Sequence, residues 1–519
     1  MIFSLVTCIG VLFALHVPRS GEHAATLLYA GAALGVVFAG DLLTLFIFWE
    51  LMAITSLFVI WYGNSEQSWA AGLRYLMVHI FGGSLLLFGL LLHLAHGGNL
   101  AVHALTQDTS VSPAAFWCML LGIAINAAIP PLHAWLTDAY PEASVTGSVF
   151  LSVFTTKTAV YVLIRLFPGA EILLWAGVIM TLYGVVYAVL QNDMRRLLAY
   201  HIVSQVGYMV AGVGMGTALA LNGATAHAFC HILYKALLFM GAGAVIQATG
   251  KRNLSDLGGL RQALPVVFLL YMVGAFSISG VPLFNGFISK SMVISAAAEA
   301  HLAVAEILLT LASVGTFLSI ALKIPYLAFF GADPGLKPQR VPSNMLLAMA
   351  AGALLCTLLG IAPGWLYARL PFDAAYHPYT VDHVVSSMQL LLGSAVGFWL
   401  LREKLHGERY LYLDTDWIYR KPLLPALRTL VTAARQVGIS LEQGRQTVVQ
   451  ALILYAQNPF LIPARLGMGR RSVALPKGRQ AIQSARNDLQ YDENRFRLPI
   501  GVTVFWIVVF FASLALYTL

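Results

Sequence analysis

Charge is what this 519-residue sequence has least of. Asp, Glu, Lys and Arg make up only 10% of it, whereas soluble domains carry roughly 25%. Hydrophobic residues make up 59%, and the mean hydropathy is +0.77. One soluble core cannot contain so many long apolar runs, and the alternating ten-residue segments of a membrane β-barrel are missing too. The composition therefore predicts an all-α polytopic membrane protein.

Cysteine is also scarce, and motifs for organic cofactors are missing. The four cysteines are scattered with no CxxC pair, which excludes an iron–sulfur cluster or a disulfide framework built on such spacing. The sequence contains no Gly-rich nucleotide loop and no flavin motif. We therefore expect no cofactor in this chain, and any coupled redox chemistry must reside in partner subunits.

The apolar runs predict about 13–15 membrane crossings. Continuous runs at 145–167 and 304–330 are each predicted as one helix, and the short run at 2–16 as a partial or tilted helix. Residues 1–401 are interpreted as a transmembrane body, 402–498 as an interfacial region, and 499–519 as a final transmembrane helix. Within the interfacial region, residues 422–457 fit an amphipathic helix lying along the membrane or a neighbouring subunit; a solvated loop is the alternative.

Basic residues give the body an orientation. The net charge is +8, and clusters lie at 191–196 and 251–261, with two predicted crossings between them. An even number of crossings returns the chain to the same side, which the positive-inside rule makes cytoplasmic. The positive-inside rule accounts for the net positive charge, so nucleic acid is not an expected partner.

A few ionisable residues nevertheless lie inside apolar runs. Placing a Lys or Asp at the centre of a membrane costs roughly 2.5–3.5 kcal/mol on insertion scales, so such residues are expected to face one another or a water-filled interior. Their number and spread predict a path for protons or cations. The residues are Glu50, Lys157, His227, His231, Lys235 and Lys290.

Each of these residues has a plainer interpretation as well. Glu50 suits a site that loads and releases a proton, or a protonated acid in a structural hydrogen bond. Lys157 suits a proton carrier, or a lysine whose ammonium reaches an interface. His227, His231 and Lys235 recur every four residues along one helix stripe, which suits a relay better than a metal site, because no third ligand is near.

Two further residues are left open by the sequence. Lys323 is interpreted either as a path residue or as an anchor at a helix end. His79 could neighbour Glu50. Two proline-interrupted segments, at 126–135 and 279–290, occupy comparable places in the two halves of the body. Paired broken helices of this kind are typical of transporters built from two inverted repeats, with ion sites near the midplane.

Six motifs follow one another along residues 20–330. They are GDLLTLFIFWELM at 40–52, PLHAWLTDA at 131–139, TKTAVY at 156–161, RRLLAYHIVSQVGY at 195–208, HAFCHILYKALLF at 227–239 and GVPLFNGFISK at 280–290. In this order they resemble the antiporter-like subunits shared by respiratory complex I and Mrp-type cation/proton antiporters, most closely the D-type subunit of Mrp antiporters. The resemblance implies that Glu50 is the essential glutamate, Lys157 the central lysine and Lys290 the terminal site of a proton path.

The sequence departs from the family pattern in two places. Asn126 stands where family members usually carry the lysine that pairs with the helix glutamate, so Glu50 is expected to lack its usual charged partner. Only 49 residues precede Glu50, so about two helices that the family has there are expected to be missing or to lie on another chain.

These observations favour a proton-translocating subunit of a multi-subunit Mrp-type monovalent cation/proton antiporter in the cell (inner) membrane. The expected partners are other membrane subunits, the lipid bilayer, protons and sodium or potassium. One alternative is a proton-pumping membrane-arm subunit of a complex I-like or membrane-bound hydrogenase enzyme. The other is a non-transporting scaffold subunit.

Overall fold

The fold was analysed in a computed structural model. It describes residues 1–108, 111–373, 375–402, 414–415, 417, 421–422, 424–457 and 500–518. These residues form helices joined by short loops, and the only β-type pairings among them are two isolated bridges. The all-α prediction is confirmed.

The body contains eighteen α-helices within the described residues, which we number in chain order. They are α1 Ile2–Ala14, α2 Ser20–Phe38, α3 Leu42–Trp61, α4 Glu66–Ala95, α5 Pro113–Asn126, α6 Ala134–Ala139, α7 Val145–Leu151, α8 Thr155–Leu166, α9 Glu171–Leu190, α10 Met194–Met215, α11 Ala218–Thr249, α12 Leu260–Ala263, α13 Pro265–Ser279, α14 Asn285–Glu299, α15 Ala303–Thr316, α16 Ser343–Ile361, α17 Gly364–Tyr367 and α18 Val381–Leu401.

Helix length and apolarity confirm a multi-pass membrane protein. In the described part of the chain, ten helical spans are long and apolar enough to cross a membrane, and four shorter apolar helices accompany them. Their ends follow ordinary capping rules. Asp41 caps α3 by accepting hydrogen bonds from the amides of Leu43 and Thr44 at 3.0 and 2.8 Å, and Asp193 caps α10 in the same way.

The centre of the body is formed by α10 and α11. In the most apolar stretch of each helix, 100% and 89% of the residues are buried, respectively. Helix α9 packs against α10 at backbone contact distance, which small residues permit. A Cβ atom on Gly184 of α9 would lie 2.5 Å from the amide nitrogen of Ser204, and one on Gly207 of α10 would lie 2.7 Å from the carbonyl oxygen of Gly177. Most polar residues of α10 and α11 are therefore buried among other helices.

Several membrane-spanning segments of the body are interrupted. The second predicted break is present, since α13 ends at Gly280 in the left-handed conformation and α14 begins at Asn285. The first predicted break is also present, since the chain leaves the helical conformation after Asn126. A further interruption was not predicted. The run at 145–167, predicted as one helix, is divided into α7 and α8 at residues 152–154. No proline or glycine marks this interruption.

The run at 304–330 also differs from one regular helix. Helix α15 continues from Phe317 to Lys323 and from Tyr326 to Phe330 in the wider π-helical form.

The predicted common side of the two basic clusters is seen directly. Asp193 and Asn253 form an isolated bridge, and Arg252 pairs with Asp193 at 2.8 Å. We call this end of the body the Gln191 side.

The chain divides into two compact units, residues 1–416 and 417–519. Within the second unit, the described helices are Leu424–Gln457 and Ile500–Thr518. The first of them covers the segment predicted as an amphipathic helix. On it, Glu442 accepts hydrogen bonds from Arg445 and Gln446 at 2.7–2.9 Å. Its position along a membrane or a partner stays a prediction.

Candidate functional site

Lys157 lies on the first turn of α8, directly after the interruption at residues 152–154. Only 2% of it is exposed. Its ammonium nitrogen Nζ donates to the carbonyl oxygen of Ser152 at 2.5 Å and to Oγ1 of Thr156 at 3.1 Å. The Ser152 carbonyl belongs to the C-terminal end of α7, where helix dipoles favour a positive charge. The interruption therefore supplies the acceptor that a lysine needs inside a membrane.

Lys290 repeats this arrangement at the second interruption. It lies on α14 and is 3% exposed, and its Nζ donates to the carbonyl oxygen of Ile278 at 2.7 Å. Ile278 is near the C-terminal end of α13, so Lys290, like Lys157, reaches back across a helix break. A Cβ on Gly286 would lie 1.7 Å from the carbonyl oxygen of Ser277, so the two helix halves meet there through a glycine.

Helix α11 supplies the groups between these two lysines. His227, His231 and Lys235 all lie on it and are fully buried. Lys157 and Lys290 both lie near enough to His227 and His231 to interact with them electrostatically. The structure therefore brings five of the predicted path residues into one buried region of the body.

Hydrogen bonds connect part of this region. His227 Nδ1 lies 3.1 Å from Oγ of Ser289, the neighbour of Lys290, and its Nε2 lies 3.4 Å from the hydroxyl of Tyr234. By contrast, both ring nitrogens of His231 and the Nζ of Lys235 lack a hydrogen-bond partner among the described residues. Burying polar groups of this kind without a hydrogen-bond partner is costly, which makes their retention inside the body notable.

Glu50 begins the series on α3. Its carboxyl oxygen Oε1 is buried against Gly83 of α4, where a Cβ would lie only 1.6 Å away, and it has no hydrogen-bond partner within the described chain. Hydroxyl groups connect its helix to that of Lys157. Ser56 of α3 lies 2.7 Å from the Tyr75 hydroxyl, which in turn lies 3.5 Å from Oγ1 of Thr155 at the start of α8.

Comparison with known proteins identifies the family of this chain. Residues 39–319, more than half of the chain, match the transmembrane family described as NADH:quinone oxidoreductase/Mrp antiporter. The chain belongs to this family. The D-type subunit of the Na(+)/H(+) antiporter of Alkalihalophilus pseudofirmus is 32% identical over 352 residues, which is 63% of this chain and 70% of that protein.

Two solved structures have a similar fold. A chain in the structure of the Mrp complex from Dietzia sp. DQ12-45-1b is 26% identical, with a TM-score of 0.66, and the match covers 76% of this chain and 84% of that one. A chain of the membrane-bound sulfane sulfur reductase, an archaeal respiratory membrane complex, is 24% identical, with a TM-score of 0.68 and coverage of 89% and 87%. Both neighbours are parts of membrane complexes.

Asn126, at the position where the sequence predicts a departure from the family, has no polar partner in the part of the chain that the structure describes. Asn126 is fully buried at the end of α5, and neither its amide nitrogen nor its oxygen has a hydrogen-bond partner among the described residues. It therefore makes no hydrogen bond to Glu50. His79 bonds through Nδ1 to the carbonyl of Tyr75 at 2.9 Å, and it lies one turn along α4 from the glycine that Glu50 covers.

A cavity lined by both polar and apolar side chains opens beside Lys290. Its volume is about 410 Å³, and its lining includes Lys290, Ser313, Glu306, Asp382 and His383. Glu306 lies near the start of α15, whereas the π-helical continuation of α15 reaches the Gln191 side. The cavity is therefore at the opposite end of α15 from the Gln191 side, and Lys290 contacts it from the middle of the body.

Lys323 lies at that other end of α15. Its Nζ donates to the carbonyl oxygens of Val189 and Gln191 at 2.6 and 2.9 Å, so it caps the C-terminus of α9. Of the two interpretations left open by the sequence, this contact favours the helix-end anchor.

Two residues in polar contacts were not predicted from the sequence. His201 of α10 is fully buried, with Nε2 2.6 Å from Oγ of Ser319, and it interacts electrostatically with Lys235 and Lys290. Its position inside a conspicuous motif was the only signal. Asp414 contacts His133 from 281 positions away in the chain, a separation that no local pattern encodes.

Proposed function

We propose that this protein is a proton-translocating subunit of a multi-subunit Mrp-type monovalent cation/proton antiporter in the cell (inner) membrane. One observation carries the proposal. Two buried lysines, each just past a helix interruption, donate to a carbonyl at the end of the preceding half-helix, and the His227–His231–Lys235 stripe lies between them. Such groups can accept and release protons where a fixed ion pair would hold them.

The proton series begins at Glu50 and continues through Lys157, His231 with Lys235, and His227 to Lys290. From Lys157 to Lys290 the groups are buried together in the core of the body, whereas Glu50 is half-buried on α3. The cavity beside Lys290 connects the last group to the side opposite Gln191. By the positive-inside rule, the basic residues on the Gln191 side favour a cytoplasmic location for that side. Partner subunits supply the cation path or the remaining surface of the complex.

The test is transport by the whole assembled complex in proteoliposomes. An imposed sodium or potassium gradient drives proton movement, which a pH-sensitive dye inside the vesicles reports. Lys157→Ala and Lys290→Ala should each lower the rate at least about tenfold, equivalent to about 1.4 kcal/mol in the barrier. Lys337→Ala, at an exposed lysine outside the series, is the matched control and should leave the rate unchanged. Normal transport by both core variants in correctly assembled complexes would contradict the proposal.

The second candidate is a proton-pumping subunit of a redox-driven complex. The family description, which includes NADH:quinone oxidoreductase, supports it. The same vesicles separate the two functions. An antiporter moves protons when only a cation gradient is imposed, whereas a redox-driven pump requires its electron donor and acceptor. A scaffold subunit would tolerate both lysine substitutions under either condition.

A further inference from the structure

The strongest unassigned feature of the body is a buried carboxylate that no sequence motif placed in the path. Asp414 follows α18 in the chain, and its side chain is 6% exposed. Both of its oxygens lie 3.3 Å from Nε2 of His133. Tyr183 of α9 donates its hydroxyl to one oxygen, and Tyr200 of α10 donates to the other. Three side chains from separate parts of the sequence thus meet at one carboxylate.

This cluster lies on the Gln191 side of the body. Tyr183 lies about two turns before the end of α9 and Tyr200 about two turns after the start of α10, and residues 191–193 connect these two helices. The chain leaves α18 on the same side, because Phe398 contacts Tyr326 of the π-helical segment with ring centroids 5.7 Å apart. The cluster is therefore at the end of the body opposite the Lys290 cavity.

The cluster combines partly exposed and fully buried side chains. Tyr187 stacks between Tyr183 and Tyr200, with ring centroids 4.4 and 5.5 Å away, and both Tyr183 and Tyr187 are partly exposed. His133 is completely buried, and its second ring nitrogen, Nδ1, has no hydrogen-bond partner within the described residues. The tyrosines thus reach the surface of the body, and Nδ1 of His133 has a lone pair that no described residue uses.

Charge explains why these groups belong together. Burial opposes ionisation of Asp414, but hydrogen bonds from His133, Tyr183 and Tyr200 hold the pKa of this carboxyl below its usual range. A carboxylate that accepts a hydrogen bond from Nε2–H fixes the imidazole tautomer. It also stabilises the imidazolium that forms when Nδ1 takes a proton. Other charged groups on the surrounding helices are Arg196 on α10 and Asp138 on α6, which pairs with Arg74 at 2.7 Å.

We propose that His133 is a further proton-holding site of this subunit, at the mouth on the Gln191 side, and that Asp414 is the residue that positions it. A proton binds to the lone pair of Nδ1 and later leaves from the same nitrogen, while Nε2–H remains on Asp414. No other bond changes. This inference rests on the proposed proton-transport function and adds a second mouth, opposite the Lys290 cavity.

The test uses the assembled complex in proteoliposomes. Asp414→Asn keeps the size of the side chain and an oxygen for the tyrosines but removes the charge; it should slow proton transport at least about tenfold. His133→Gln should have a similar effect, and the double variant should be no slower than either single one, because both remove the same step. Asp333→Asn, at an exposed carboxylate, is the matched control. The pH profile of transport should shift in Asp414→Asn and stay unchanged in the control.

A purely structural role for Asp414 gives a different pattern. Tyr183→Phe combined with Tyr200→Phe removes two hydrogen bonds to Asp414 and leaves its charge. If Asp414 only fastened the chain to the body, this double variant would reduce assembly as much as Asp414→Asn, and assembled complexes of both would keep a normal rate and pH profile. That result overturns the inference. Lys157→Ala is measured in parallel: if it abolishes transport while Asp414→Asn does not, only this inference fails, and if neither has an effect, the proposed function fails too.

Discussion

A methyl group at Gly83 tests where the carboxyl group of Glu50 must lie. The Cβ introduced by Gly83→Ala would be 1.6 Å from Oε1 of Glu50. Nonbonded heavy atoms need about 3.5 Å, so the carboxyl must move by about 2 Å. A misplacement of about 1 Å at a reacting group already costs about a hundredfold in rate. We expect Gly83→Ala to slow proton transport about a hundredfold.

Folding should not suffer in the same variant. The obstructing atom is the end of a flexible side chain, which can turn away, and alanine is favoured over glycine within a helix by about 1 kcal/mol. The thermal unfolding temperature of the purified complex should therefore be equal to or higher than that of the unmodified protein. Gly82→Ala is the matched control. Its Cβ would lie 3.2 Å from Ile125 and would not touch Glu50. Unimpaired transport by Gly83→Ala would refute the placement of Glu50 on the path.

Three more outcomes follow from individual contacts. Gly184→Ala places a Cβ 2.5 Å from the backbone nitrogen of Ser204, and because this backbone atom cannot move away, the variant should destabilise the body by about 1–3 kcal/mol in thermal unfolding. Gly393→Ala, whose Cβ would meet open space, is the control and should not destabilise it. Equal stability of the two variants would contradict the close packing of α9 on α10. Lys323→Met should lower stability by about 1–3 kcal/mol and leave the transport rate of assembled complexes unchanged; a loss of transport would place Lys323 on the path. Asn126→Lys should change the pH dependence of transport by giving Glu50 a charged neighbour, and an unmoved profile would show that the missing lysine is irrelevant.

Much of the fold was predictable from the sequence, because apolar runs long enough to span a bilayer leave few alternatives. The helical stripe of His227, His231 and Lys235 also follows from spacing alone. The second interruption was predictable as well, since Gly280 and Pro282 mark it. These signals are local, and the structure of a membrane helix depends strongly on local apolarity and on residues that break the helix.

The interruption between α7 and α8 was not predictable in the same way. Residues 152–154 are Ser-Val-Phe, which fit a continuous helix, and the break is stabilised instead by contacts with other helices. The Tyr29 hydroxyl, for example, accepts from the amide of Thr155 at 3.0 Å. The contact between Asp414 and His133 depends on folding of the entire body. The titratable groups of α3, α8, α11 and α14 were therefore predictable from the sequence, whereas the backbone contact that stabilises Lys157 was not.

The central claim is that the amine of Lys157 carries a proton, as distinct from merely supplying a buried charge. Lys157→Arg tests it most directly, because a guanidinium can donate to the Ser152 carbonyl but does not release its proton in proteins. The measurement is the rate of cation-driven proton movement through the assembled complex in proteoliposomes. We expect complexes with Lys157→Arg to assemble normally and to lose transport. Transport at the unmodified rate would contradict the account.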